Sequence, residues 1–325
     1  MTLHETELAE IIARALPGER FAGVRAAYGD RFRVQLAGGE RIMLQLCATP
    51  AAAATAVAAL RTLRGEVDLP IPQLRGSDAD GAAVGRPYLI YSDMAGEPLA
   101  QVRDQIGDEQ LYRIGRQLGS ALYRVHRLAC GRYGTLNGPD PLAADDERSY
   151  GIARLEEGAA RAKALGVLRE RDASKLRRWF DTAYHPAGRQ AALICGGLAP
   201  EHLLVQQNEG RWRLSGLLAW EHAIGWSPAW EHVTLLGTLE GGRYFGLRVG
   251  YGNGYDEQNQ RTYEQVREHA MRPYQMIAHL EALCRAAESG DREEADRRAA
   301  VLQALIRILS EGRDDAGGAK TVISA

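Results

Sequence analysis

The chain has 325 residues, with 40 Lys and Arg against 42 Asp and Glu, a formal net charge of −2, and 45% hydrophobic and 25% charged residues. That composition fits a globular protein with a sizeable core and roughly two structural units. The balanced charge argues against a general nucleic-acid binder, and no window reaches the ~18–20 consecutive apolar residues of a membrane span.

In chain order, the opening MTLHETELAEIIARAL carries acids where an export signal carries basic residues, so a cytoplasmic chain is expected. Thr2 with Glu5 reads as a capping box ahead of Leu8, Ile11, Ile12 and Leu16 at helical spacing. Period two follows. Phe32, Val34 and Leu36 alternate with Arg31, Arg33 and Gln35, and Ile42, Leu44 and Leu46 alternate with Arg41, Met43 and Gln45. This predicts a β-hairpin with one apolar and one mixed face, turning at Ala37–Glu40. Tyr28-Gly29-Asp30 reads as a plain turn rather than a phosphate-covering loop. A short helix is predicted over 51–64, breaks at Pro70 and Pro72, a strand over Pro87–Tyr91, and a connector marked by Gly96 and Pro98.

Further on, Leu111, Ile114, Leu118, Leu122 and Val125 form a helical stripe, and helices are predicted at 152–165 and 172–184. Short strands at 192–195 and 203–205 bracket a Gly-Gly loop, with another strand at 212–218. Helices resume from about 229, one over 260–287 with a bend at Pro273 and one over 291–309. The mixed-sign run Asp291–Arg298 reads as a solvated helix face. The expected architecture is α+β: a small lobe over 1–94 with an antiparallel sheet, a larger and mainly helical lobe over 95–312, and a flexible tail over 313–325. Clefts between such lobes commonly bind small ligands. Cys47, Cys130, Cys195 and Cys284 are too scattered for a disulfide framework or paired zinc ligands, which suits a reducing compartment.

Four stretches carry a resemblance: Tyr88–Leu99, Leu118–His126, Ile194–Val205, and Leu214–Ala223 with its downstream Gly225–Glu231. In this order they resemble the aminoglycoside phosphotransferase family, the small-molecule branch of the protein-kinase-like fold that includes choline and homoserine kinases. The resemblance spans about 20–305 and implies a two-lobed protein-kinase-like fold. Phosphoryl transfer in that fold uses an Asp on the acceptor hydroxyl, an Asn and a second Asp on magnesium, and a Lys on the phosphates. By the resemblance those slots fall on Gly197, His202, Ala219 and Gln45. A glycine has no side chain, a methyl cannot bind magnesium, imidazole suits softer metals, and an amide carries no charge.

A catalytically inactive family member, a pseudokinase, is therefore expected. It would serve as a binding module for an unidentified small molecule or protein, with no metal or cofactor and with neither nucleic acid nor membrane as partner. Ser92, Asp93 and Met94 form a remnant of the nucleotide hinge, and Glu221, Trp226 and Glu231 are expected at the cleft. The alternative is an active ATP-dependent kinase of aminoglycoside-, choline- or homoserine-type hydroxyls. Mg-ATP would be its co-substrate and a displaced carboxylate such as Glu221 its metal ligand. Other residues near the site are expected to have structural roles. Cys195 packs as a small hydrophobe rather than as a thiol nucleophile with His202 as base, and His126 packs rather than catalyses. Trp212, Trp220, Trp226 and Trp230, four of the five tryptophans, pack the core or fill the former pocket.

Overall fold

The computed structural model describes residues 4–28, 30–65, 71–82, 84–137, 140–184, 190–239, 241–259 and 271–311. The chain divides into two compact units, Met1–Ala144 with Gln190–Gln265 and Asp145–Arg189 with Val266–Ala325. Thr2, Gly29 and Pro70, the stretch 260–270 and the predicted tail lie outside the described residues.

The first unit opens with α1 (Glu5–Ala15), where Glu7 Oε2 accepts the His4 N–H at 2.8 Å. The strands β1 (Phe21–Tyr28), β2 (Arg31–Leu36) and β3 (Arg41–Leu46) follow, then α2 (Pro50–Leu63), β4 (Leu74–Asp78) and β5 (Tyr88–Ser92). The five strands form one antiparallel sheet in the order β1-β2-β3-β5-β4. The predicted hairpin is its centre. Phe32, Val34, Leu36, Ile42, Leu44 and Ile90 bury one face against Leu8, Ile11 and Ile12 of α1. Met43, Leu89 and Tyr91 belong to a second core shared with Ala53, Ala56 and Leu60 of α2. Thr49 starts α2 by accepting the Ala52 N–H at 3.1 Å, with Pro50 in the first turn, where a missing N–H costs nothing.

Beyond β6 (Glu97–Pro98) and the short α3 (Leu99–Val102) comes α4 (Asp108–Val125), which buries the predicted stripe. The strand pairs that carry the site come next: β7 (Gly134–Thr135), β8 (Ala192–Ile194), β9 (Leu203–Asn208), β10 (Arg211–Leu217) and β11 (Ile224–Trp226). They make two three-stranded sheets, β10-β9-β6 and β7-β11-β8. After α7 (Pro228–Thr238), α8 (Phe245–Asn259) packs on α4 through glycines. An added Cβ at Gly115 or Gly119 would run into the Leu247 or Tyr251 carbonyl. Conversely, one at Gly246, Gly250 or Gly254 would run into the Asp108, Tyr112 or Arg116 carbonyl. Two helix backbones touch along this seam.

The second unit contains α5 (Glu147–Ala164), α6 (Glu170–Ala183), α9 (Arg272–Ser289) and α10 (Arg292–Glu311). Arg154 pairs with Glu281 and Arg161 with Glu288, two rungs one heptad apart between α5 and α9. Pro273 sits in the first turn of α9, where proline is tolerated, so the predicted bend is a helix start. The fold is the expected mix of an N-terminal antiparallel sheet and a larger helical part. No described helix is long and apolar enough to cross a membrane.

Candidate functional site

Strand β8 delivers Cys195-Gly196-Gly197 to the site, and a buried carboxylate holds this loop from beneath. Glu231 of α7 is fully buried and accepts the Cys195 N–H at 2.6 Å and the Gly196 N–H at 3.1 Å. His126 Nε2 lies 3.7 Å from the same carboxylate, while its Nδ1 lies 2.9 Å from the Tyr255 hydroxyl. Gly196 has φ +76°, and a Cβ there would meet the His222 carbonyl, so only glycine fits. At Gly197 a Cβ would lie 2.5 to 2.9 Å from Cδ2, Cγ and Cβ of His222. The exposed His222 ring thus occupies the space a side chain at the base slot would need.

His202 Nδ1 donates to the Gly197 carbonyl at 2.8 Å, and the His202 carbonyl accepts the Leu218 N–H at 2.9 Å. Gly197, His202 and Ala219 are therefore brought together, as their order along the chain implies. Burial, helped by the nearby Arg31 charge, pushes the His202 pKa down and favours neutral imidazole. Cys195 is fully buried, and its thiol, which donates to the Leu218 carbonyl at 3.3 Å, is pushed well above the ordinary range by that burial. Nucleophilic sulfur must be thiolate, so Cys195 is a packing residue.

Ala219 follows β10 in the left-handed region, φ 69° and ψ 27°, and is 1% exposed. That conformation costs an L-residue about 1–2 kcal/mol and is tolerated best by Gly, Asn and Asp. Ala219→Gly should therefore stabilise the protein by about 0.5–1 kcal/mol, once the extra freedom of glycine in the unfolded chain is offset. The shift would show as a higher urea midpoint. An unchanged or lower midpoint would mean that contacts of the methyl outweigh the strain.

Gln45 is 5% exposed, and its Oε1 accepts the Tyr91 hydroxyl at 3.2 Å. Gln45 alone gives this corner no cation, but the fold supplies one from the neighbouring strand. Arg31 is the cross-strand partner of Gln45 in the β2–β3 register. Its Nη2 reaches Glu221 Oε1 at 2.7 Å, and both side chains are 13% exposed. Arg31 Nε is buried and has no hydrogen-bond partner among the described residues. Burial, with the Glu221 charge, pushes the Cys47 thiol up to about 12, and burial also raises the Tyr91 hydroxyl. Gln45, Tyr91, Ala219 and Glu221 also line a small recess against α2, with room for a single water-sized guest.

The hinge remnant is bound up by internal contacts. Arg33 Nε donates to Asp93 Oδ1 at 2.6 Å, and its Nη2 donates to the Met94 and Gly96 carbonyls at 2.8 and 3.1 Å. Ser92 exchanges hydrogen bonds with Gln73, its N–H donating at 2.9 Å and its Oγ accepting at 3.0 Å. Of the residues expected at the cleft, Glu221 lines the small recess and is held by Arg31. Trp226 and Glu231 are fully buried, Trp226 stacked on Trp230 with centroids 4.6 Å apart. Among the described residues no three His, Cys, Asp or Glu side chains converge as a metal site. Sequence reasoning did not identify Arg31, Arg33 or His222. The alternation of β2 puts both arginines on its mixed face without saying what that face meets.

A model of the phosphotransferase enzyme family, APH, matches residues 23–274. The chain belongs to that family. Solved structures share its fold. A thermostable mutant of aminoglycoside phosphotransferase APH(4)-Ia in the apo form is 13% identical, covering 94% of this chain and 98% of its own, with a TM-score of 0.63. The GDP and kanamycin complex of APH(2")-IIia is 14% identical over 92% and 98%, with a TM-score of 0.59. The GDP complex of wild-type aminoglycoside 2'-phosphotransferase-IIIa is 14% identical over 94% and 99%, with a TM-score of 0.60. No curated protein sequence matches the chain.

Proposed function

We propose that this chain is a phosphotransferase-family protein that does not transfer phosphoryl groups and has kept its cleft as a binding site for a small molecule. The observation that carries this reading is the His222 ring lying over Gly197, which closes the place where the family's base would stand. The donor set also fails to fit a magnesium nucleotide. Ala219 presents a buried methyl, His202 Nδ1 is engaged by a backbone carbonyl, and Gln45 is neutral. Magnesium needs hard oxygen ligands in near-octahedral array, and a positioned general base contributes about 10²–10⁴-fold. Four unpaired cysteines suit a reducing, cytoplasmic setting.

The rival reading, an active kinase using Glu221 as a metal ligand, draws on the position of Glu221 in the site. Its contact with Arg31 speaks against a free metal ligand. Thermal-shift titration with ATP, with and without magnesium, separates the two readings, since ligand that binds the native state raises apparent stability. No magnesium-dependent shift and no transfer to aminoglycoside, choline or homoserine are expected. A magnesium-dependent shift with phosphorylated product, both lost in Glu221→Ala, would establish the kinase instead.

A further inference from the structure

We propose that Arg31 is the anchor of a metal-independent anion site that takes one carboxylate or phosphate group of a small ligand, with Glu221 as the tethered occupant that the ligand displaces. This deepens the binding-site reading above and rests on it. The guanidinium is a planar fork whose preferred partner is a bidentate oxyanion. Here its Nη2 donates to a single carboxylate oxygen of Glu221 and the guanidinium also bonds the Tyr91 side chain, while Nε is buried without a partner among the described residues. Buried donors are rarely left in that state, and each exception asks for an explanation. An oxyanion lying along the Nε–Nη2 edge would satisfy both nitrogens, which Glu221 in its observed position does not.

The surroundings favour an anion. Tyr91 and Cys47 are pushed by burial toward their neutral, protonated forms, and His202 toward neutral imidazole. When Glu221 moves aside, Arg31 keeps its charge beside these neutral groups, and the remaining acid acting on this corner is Asp30, next along the chain. Glu221 sits on the short turn Trp220–His222, directly after the strained Ala219, and reaches Arg31 from a different strand pair. Glu221 is thus an intramolecular competitor of the ligand's acid group for Arg31. Because the cation is a protein side chain, binding requires no divalent ion.

The test is calorimetric titration of the full chain in EDTA with inorganic pyrophosphate, inorganic phosphate and succinate, on wild type, Glu221→Gln, Arg31→Gln and Arg31→Lys. Glu221→Gln removes the competitor and should tighten anion binding about tenfold or more. Arg31→Gln should weaken it at least tenfold. Arg31→Lys, which keeps the charge but loses the fork, should fall between. The pyrophosphate and phosphate arms against the succinate arm tell a phosphate-bearing ligand from a carboxylate-bearing one. Unchanged or weaker binding in Glu221→Gln, or equal binding in folded Arg31→Lys and wild type, would overturn the fork-and-competitor arrangement. Those results would leave the absence of transfer untouched. Magnesium-dependent turnover would overturn that reading separately.

Discussion

Gly250→Ala should cost about 3–5 kcal/mol or abolish folding, the largest effect expected of any single methyl in this protein. Its new Cβ would be driven into the Tyr112 carbonyl oxygen, a backbone atom of α4 that cannot rotate away. Gly119→Ala, aimed at the Tyr251 carbonyl, should behave alike. The helices approach closely because five glycines interleave, Gly115 and Gly119 on one side and Gly246, Gly250 and Gly254 on the other. At that separation Cα–H groups lie against facing carbonyls, each contact contributing about 0.5–1 kcal/mol. Gly237→Ala is the control. A Cβ there meets nothing within 4 Å on α7, so ordinary helix propensity predicts no loss and up to about 1 kcal/mol gained. Urea denaturation of the three variants checks the contrast. A Gly250→Ala protein within 0.5 kcal/mol of wild type would show that the helices can part cheaply.

Glu231→Ala should destabilise by about 3–5 kcal/mol. The carboxylate accepts the buried Cys195 N–H and the partly buried Gly196 N–H, and a buried donor left unsatisfied costs about 1–3 kcal/mol. Glu231→Gln keeps the shape but sets an amide NH₂ against one of those donors, and should lose about half as much. Hydrogen exchange at Cys195 and Gly196 would give the local reading, with protection falling more there than in β2 or β3. If Glu231→Ala matched wild type in stability and in that exchange, water would be replacing the carboxylate, and the anchoring role would be gone.

Much of the fold was legible because local pattern and burial agree. Alternation over 31–46 marks β2 and β3, and the stripe from Leu111 to Val125 marks α4. Strands β1 and β4 were missed, since Phe21–Tyr28 and Leu74–Asp78 mix glycine, arginine and small residues without clean alternation. Helix α8 falls among the helices expected from about 229, but its bounds are not legible for a different reason. Its glycines lower intrinsic helix propensity, and the packing on α4 that outweighs this is not local. At the site, the altered slots could be read residue by residue, but their replacements could not. Arg31 stands beside Gln45 through strand register, and His222 covers Gly197 through the left-handed turn at Ala219. Register and turn geometry are properties of the folded chain.

Arg33 carries one more consequence. By gripping the Asp93 carboxylate together with two carbonyls of the connector, it rivets the N-terminal sheet to the segment that leads out of it. Enzymes that release a product on every cycle commonly rely on opening and closing motions. Here such breathing at the connector would have to break three charge-assisted contacts of one side chain at once, so Arg33 stiffens the joint.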